Sequence, residues 1–296
     1  MSDLDNILLF GGSGFIGKSL ISKLEKTHSL KLMVHNSELS STTHTFKGDI
    51  LKKDSFFDEI RENEVIINLL GQITPNESDY VDLNIIGGIN LLHSCIEKKI
   101  KKIILISSIN VYGENLDNAS KENDPLKPKT TYGLVKMITE QLYEYFSKTY
   151  GLNITILRLA GVYGPNKNNG FLFQIIKSTQ DNSIVPICYN HGQQQRDMIY
   201  VDDVIHCILN TINYHHDGFE IFNVSSGKRY SVKDLISIIE EITKTKISVK
   251  NISDIPDEKS IWADNTKANR FLKFTPQVGI KTGLKSTISE LLKNIS

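Results

Sequence analysis

An α/β architecture, a doubly wound parallel sheet with a smaller C-terminal lobe, is what the sequence predicts, on three observations. Short, almost wholly apolar runs recur along the chain, as strands buried on both faces read. Amphipathic stretches lie between them, so strand and helix alternate. A glycine-rich turn, Gly11-Gly-Ser-Gly14-Phe-Ile-Gly17, joins the first run directly to the first helix. Right-handed crossovers then close the alternation into one sheet.

The expected strands, in chain order, are Asn6 to Phe10, Lys31 to Val34, Val65 to Leu70, Lys102 to Ile106, Asn153 to Leu159 and Phe219 to Val224. Helices are expected to begin near Phe15, Asp54, Asn84 and Tyr132. Past Gly164 the rhythm breaks at Pro165, Asn166, Asn168, Asn169 and Gly170, a turn-forming cluster. Residues 1–165 and 199–224 are therefore assigned to the main domain, and 166–198 and 225–296 to the smaller lobe. Within that lobe Ser231-Val-Lys-Asp234 is a capping box ahead of the apolar stripe Leu235, Ile236, Ile238, Ile239 and Ile242.

Composition narrows the function. The 296 residues carry 34 Lys and Arg against 34 Asp and Glu, which argues against a dedicated nucleic-acid binder, because such domains draw affinity from a basic surplus. At 40% hydrophobic and 23% charged, the chain is neither disordered nor membrane-embedded. Cys95, Cys188 and Cys207 stand far apart without metal-ligand spacing and are read as packing residues; no metal is expected. The eight histidines form no ligand spacing either, and the Lys98–Lys102 cluster reads as a solvated helix end. With no basic segment leading into an apolar run at the start and no membrane-length stretch later, the expected compartment is the cytoplasm.

The glycine turn admits two chemistries. Following a strand and opening a helix, Gly11, Gly14, Phe15, Ile16 and Gly17 suit a dinucleotide pyrophosphate held by backbone N–H groups and the helix dipole. Gly12 to Ser19 also satisfies the P-loop pattern, in which Lys18 would reach terminal phosphates and Ser19 a magnesium ion. Bulky Phe15 and Ile16, and the absence of an Asp at another strand end, favour the dinucleotide. At the tip of the second strand stand Val34-His35-Asn36-Ser37, neither acidic enough to repel a 2′-phosphate nor basic enough to clamp one. His35 and Asn36 are thus cofactor-side candidates that leave NAD and NADP both open, and Asp49 is a candidate on the adenine side.

Tyr132 and Lys136 lie one helical turn apart on one face. An adjacent cation favours the phenolate, so the pair is expected to lower the Tyr pKa and let it exchange a proton with an alcohol or carbonyl. A second such spacing, Tyr163 and Lys167, is interrupted by Gly164 and Pro165. Ser107 and Ser108 end a sheet strand, where ligands bind in open α/β folds.

Taken together, the chain resembles an extended short-chain dehydrogenase/reductase of the NAD-dependent epimerase/dehydratase family, with its Rossmann-like fold. The resemblance rests on Gly11 to Gly17, Gly48-Asp-Ile50, Asn84 with Gly87, Ser107-Ser-Ile-Asn-Val-Tyr-Gly113, Tyr132 with Lys136, Leu157 to Pro165, Arg196 to Asp203 and Trp262-Ala-Asp264. It implies Tyr132 as acid/base, Lys136 on the nicotinamide ribose, Ser108 on the reacting sugar oxygen and Arg196 facing the nucleotide diphosphate. It also implies cofactor contacts at Asp49, Ile50, Leu70, Gly71 and Asn84, a nucleotide-sugar substrate, and a homodimer through the helices near Asn84 and Tyr132.

Similar dehydratases and decarboxylases carry extra carboxylates after the catalytic Ser, and the GDP-fucose synthase type a Cys. This chain has Ile109-Asn110, neither of which transfers a proton. Hydride transfer at C4 is what remains, as a 4-ketoreductase or as a 4-epimerase that retains its cofactor. Gly161 stands where similar epimerases carry an Asn near the diphosphate, and Asp254, Ile255 and Pro256 occupy the region where they carry an Arg. These departures and the non-acidic His35 tilt the reading towards reduction of a 4-keto-6-deoxy sugar nucleotide, with the epimerase as alternative. A P-loop phosphotransferase, a cofactor-binding regulator and a reductase of a non-sugar alcohol are the readings from other classes.

Overall fold

A computed structural model describes residues 6–36, 43–62, 64–71, 76–114, 118–252 and 260–293. Its strands are β1 (Asn6–Phe10), β2 (Ser29–Val34), β3 (His44–Lys47), β4 (Val65–Asn68), β5 (Lys102–Ser108), β6 (Asn153–Leu159), β7 (Gly161–Tyr163), β8 (Ile187–Tyr189), β9 (Gln195–Tyr200), β10 (Phe219–Val224), β11 (Arg229–Ser231) and β12 (Lys250–Ile252). The helices are α1 (Phe15–Leu24), α2 (Glu77–Glu97), α3 (Thr131–Tyr150), α4 (Phe171–Ser178), α5 (Val201–Ile212), α6 (Val232–Thr243), α7 (Thr266–Leu272) and α8 (Ile280–Lys293).

Seven strands form one parallel sheet in the order β10-β6-β5-β4-β1-β2-β3. The chain starts in the middle, at β1, and works outwards both ways, so the order reverses between β1 and β4 and a crevice opens at their carboxyl ends. Strand pleating divides the core. Ile7 and Leu9 enter a cluster shared with α1, α5 and α6, while Leu8 and Phe10 enter one shared with α2 and α3. Both faces of β1 are thereby buried, which is why its sequence is continuously apolar.

Three expectations are corrected. No α-helix begins at Asp54: two 3-10 turns, Lys53–Ser55 and Phe57–Glu59, flank Phe56, whose non-helical φ of −136° drops its ring into the core against Phe10. The helix expected near Asn84 begins at Glu77, where the Asn76 side chain accepts from Ser78 N and Glu77 and Asp79 complement the helix dipole. The Lys98–Lys102 cluster is solvated only in part: Lys99 and Lys101 are exposed, but the half-buried Lys102 ammonium donates to the Ile212 and Tyr214 carbonyls at the end of α5, and Lys98 lies over the Phe57 ring. The capping box at Ser231 and Asp234 is present with both hydrogen bonds, and all three cysteines are buried.

The C-terminal region adds a three-stranded sheet, β11-β9-β7, and a pair, β12-β8. Gly161–Tyr163 and Ile199–Tyr200 pair within the smaller sheet, although β6 leads straight into the first and α5 follows the second. Among the described residues no helix is long and apolar enough to cross a membrane.

Candidate active site

At the mouth of the crevice Gly11 adopts φ +85° and its carbonyl accepts from Gly14 N at 3.1 Å. A Cβ at Gly17 would stand 2.5 Å from that carbonyl, so only glycine lets α1 start this close to the end of β1. Gly14 caps α1 without a side chain, leaving first-turn N–H groups to an anion. Lys18 is exposed, and the Ser19 hydroxyl donates to the Phe15 carbonyl within its own helix. The loop is thus shaped for a pyrophosphate, while the P-loop serine is turned away from any metal.

His35 and Asn36 are exposed at the end of β2. Asp49, beyond β3, is half-buried, accepts from Leu51 N at 3.0 Å and lies 3.8 Å from the Lys52 ammonium. Ile50 is buried, and a Cβ on Gly87 of α2 would come within 2.9 Å of it, while its carbonyl accepts from Asn90. Ser37 and the Asp254–Pro256 region lie outside the described residues.

Deeper in, β4 exits through Leu70 and Gly71 beside the start of α3. The Lys136 ammonium, buried, donates to the Ile106 carbonyl at 3.1 Å and to Leu70 O at 3.4 Å. Gly71 sits at φ +115°, and a Cβ there would meet Lys136 Nζ and Asn84 Oδ1 within 2.5 Å. Leu70, Gly71, Asn84 and Lys136 therefore form one cluster, with Asn84 fixed by its bond to Tyr80 O. Burial pulls the Lys136 pKa down to about 8, opposed by the carboxylate of Glu140.

Tyr132 and Ser108 share a side-chain hydrogen bond across α3 and the end of β5. The expected lowering of the phenol by Lys136 does not appear: burial raises the Tyr132 pKa, and the bond to Ser108 is what opposes the rise. Approach of α3 depends on Gly133, where a Cβ would stand 2.5 Å from Asn110 O. The two serines separate cleanly. Ser107 is buried and donates to Glu140, whereas Ser108 faces the phenol and its Oγ accepts from Asn110 N. Ile109 is buried, so Asn110 is the half-exposed polar residue next to Ser108.

Gly161 follows the strand end opposite Ser108, and Arg196 lies two residues before Met198, which pairs with Gly161. A Cβ at Gly161 would come within 2.9 Å of the Met198 sulfur. The thioether fills the space an Asn would need, so Gly161 is coupled to Met198. Tyr80 was not anticipated. Its ring stacks on Tyr132 at 5.7 Å and 27°, and its hydroxyl donates to Tyr132 O at 3.3 Å. The available signal was its place one turn before Asn84 on a crevice-facing helix.

A glycine cradle at a strand-order switch, with a Tyr, Lys and Ser converging beside it, defines a dinucleotide-dependent enzyme of the short-chain dehydrogenase/reductase class. Residues 7–225 match the NAD dependent epimerase/dehydratase family, and the chain belongs to it. It is 31% identical to a protein of Methanocaldococcus jannaschii described as a putative UDP-glucose 4-epimerase, over 97% of this chain and 99% of that one. The crystal structure of UDP-glucose 4-epimerase from Thermotoga maritima with UDP-glucose superposes with a TM-score of 0.87 at 28% identity, covering 98% of this chain and 100% of that chain. UDP-glucuronic acid 4-epimerase from Bacillus cereus, in complex with UDP-4-deoxy-4-fluoro-glucuronic acid and NAD, superposes with a TM-score of 0.89 at 26% identity, covering 98% and 99%. The cofactor is thereby the nicotinamide dinucleotide of an NAD-dependent family, and the open glycine cradle fits it.

Proposed function

We propose that this enzyme is a nucleotide-sugar 4-epimerase acting on a UDP-hexose with NAD retained between turnovers. The observation that carries the reading is full-length similarity to a protein described as a putative UDP-glucose 4-epimerase, together with a site in which Tyr132 faces Ser108 and neither Ile109 nor Asn110 transfers a proton. The tilt towards a 4-ketoreductase gives way, because relatives named as epimerases match over the whole length and Gly161 has a local packing reason in Met198. The smaller lobe, 166–198 and 225–296, is taken as the substrate-binding part, with Gly161 and Arg196 on its sheet beside the sugar diphosphate.

When bound, NAD supplies reversible hydride exchange at the sugar carbon. The chain supplies the proton traffic and the alignment. As the phenolate, Tyr132 Oη takes the C4 hydroxyl proton in one half-reaction, and as the phenol so formed it returns that proton in the other. Ser108 Oγ, already bonded to the phenol, holds the reacting oxygen. The buried Lys136 ammonium, fixed by two carbonyls, presents positive charge towards the nicotinamide ribose and the Tyr132 phenolate.

The test is incubation of purified protein with UDP-glucose and no added cofactor, followed by NMR of the sugar nucleotides. Equilibration with UDP-galactose is expected. Conversion that occurs only with stoichiometric added NADH or NADPH would overturn the reading in favour of a reductase.

A further inference from the structure

Tyr80 is a buried residue of the site to which neither the cofactor cradle nor the proton transfer gives a task. It lies on α2, one turn before Asn84, and is 2% exposed. Its ring stacks on that of Tyr132 with centroids 5.7 Å apart and planes inclined by 27°, an offset face-to-face contact. Its hydroxyl donates to the Tyr132 carbonyl at 3.3 Å, which is long for a bond between two oxygens. The contact is therefore chiefly one of ring on ring.

Tyr132 is the second residue of α3, and its backbone is fixed from the other side. Gly133 brings the first turn so close to the loop after β5 that a Cβ there would stand 2.5 Å from Asn110 O. What remains free is the side chain. Its bond to Ser108 restrains the place of the phenol oxygen. That bond does not fix the ring plane, because rotation about the long axis of the ring leaves the oxygen where it is. A phenol O–H lies in the plane of its ring, so the same rotation swings the proton away from its acceptor. Tyr80 restrains this second freedom, since a ring stacked on a buried neighbour cannot turn without losing the contact. Tyr80 is itself held: Asn84 Nδ2 donates to Tyr80 O at 2.8 Å, and Asn84 Oδ1 and Lys136 Nζ crowd one point above Gly71. One face of α2 thus meets both members of the α3 pair, with Tyr80 at Tyr132 and Asn84 beside Lys136.

We propose that Tyr80 is a positioning residue whose ring sets the plane of the Tyr132 ring, and with it the direction of the phenol proton, before substrate arrives. This deepens the acid/base role proposed for Tyr132 and rests on it.

The experiment compares Tyr80→Phe, which keeps the stacked ring and removes the hydroxyl, with Tyr80→Leu and Tyr80→Met, which remove the ring. Turnover of UDP-glucose is measured per folded, NAD-containing site. In the two ringless variants kcat is expected to fall about 10- to 100-fold with KM within about threefold, the pattern of lost alignment rather than lost binding. Tyr80→Phe should keep kcat within about threefold of native. A residue that only fills the core would lower the melting temperature and leave kcat per folded site unchanged. A kcat within about threefold of native in a folded ringless variant, or a loss in Tyr80→Phe as large as in those variants, overturns the proposal. The native protein supplies a readout that needs no folded variant at position 80. It is 13C relaxation of the Tyr132 ring in protein labelled at tyrosine Cε, with the signal assigned by its loss in Tyr132→Phe. An order parameter near that of rigid backbone, about 0.85, is expected, falling in the ringless variants. A native value below about 0.6, or no fall in a ringless variant, also overturns the proposal. The relaxation measurement needs no substrate, so absence of UDP-glucose turnover refutes the epimerase reading while the order parameter still decides the role of Tyr80.

Discussion

At the scale of single residues, the site depends on the Tyr132 phenol and the groups packed around it. Burial raises Tyr132, Tyr80 stacks on its ring, and Ser108 alone opposes the shift through a hydrogen bond. Such a phenol is a poor base until substrate and a cationic cofactor ring arrive, which ties proton abstraction to an assembled complex. Tyr132→Phe keeps the stacking ring and removes the proton. Turnover of UDP-glucose is expected to fall by about 10²- to 10⁴-fold, with the melting temperature little changed. A loss below tenfold would contradict the acid/base role. Ser107 and Ser108 show why strand-end identity alone is insufficient. Adjacent residues of one strand point to opposite sides, so one hydroxyl enters the crevice and the other the Glu140 carboxylate.

Among elements, β9 carries a buried carboxyl with a measurable consequence. Asp197 is 2% exposed and accepts from Ser226 N at 2.9 Å and Ser226 Oγ at 2.7 Å, joining β9 to the turn after β10. Burial outweighs these bonds and raises its pKa to about 6. The unfolded value is about 3.9, so the native state binds the extra proton between those limits. The stability this contributes is complete below about pH 4 and is lost as pH rises through about 6. Asp197→Asn does not titrate, so its melting temperature relative to the native protein should climb between about pH 4 and about pH 7. A constant difference would contradict the assignment.

Legibility in the sequence also divides by element. β1 and β6 are visible to their end residues because both faces are buried and their runs are mostly apolar, and β10, half-buried over its first three residues, is visible through Phe219, Ile221, Phe222 and Val224. β3, His44–Lys47, is an edge strand with mostly exposed side chains and leaves no such trace. The apolar spacing around Phe56 imitates a helix, yet it anchors two 3-10 turns. The glycine cradle and the Tyr132, Lys136 and Ser108 constellation are legible because each needs a particular residue at a particular spacing. Glu140 and Arg158 carry no local pattern, although an Arg inside the apolar run of β6 was a visible anomaly that only tertiary pairing explains.

On the scale of the whole molecule, α2 and α3 pack side by side on one face of the sheet and leave Val81, Ile86, Leu134, Ile138 and Tyr145 exposed. We infer that this two-helix surface is the interface of the expected homodimer, since exposed apolar residues clustered on adjacent helices mark association surfaces. Sedimentation is expected to report a dimer, and Ile138→Glu should give monomers that remain folded. A native monomer would remove the inference. At the carboxyl ends of the parallel strands the glycine cradle, the Lys136 cluster and the Tyr132–Ser108 pair line one edge of the sheet. Under the epimerase proposal this edge keeps its dinucleotide and uses it again. Denaturing the purified protein and identifying the released nucleotide tests that most directly. Stoichiometric NAD is the result expected; an adenine nucleotide without nicotinamide, or no nucleotide at all, would contradict it.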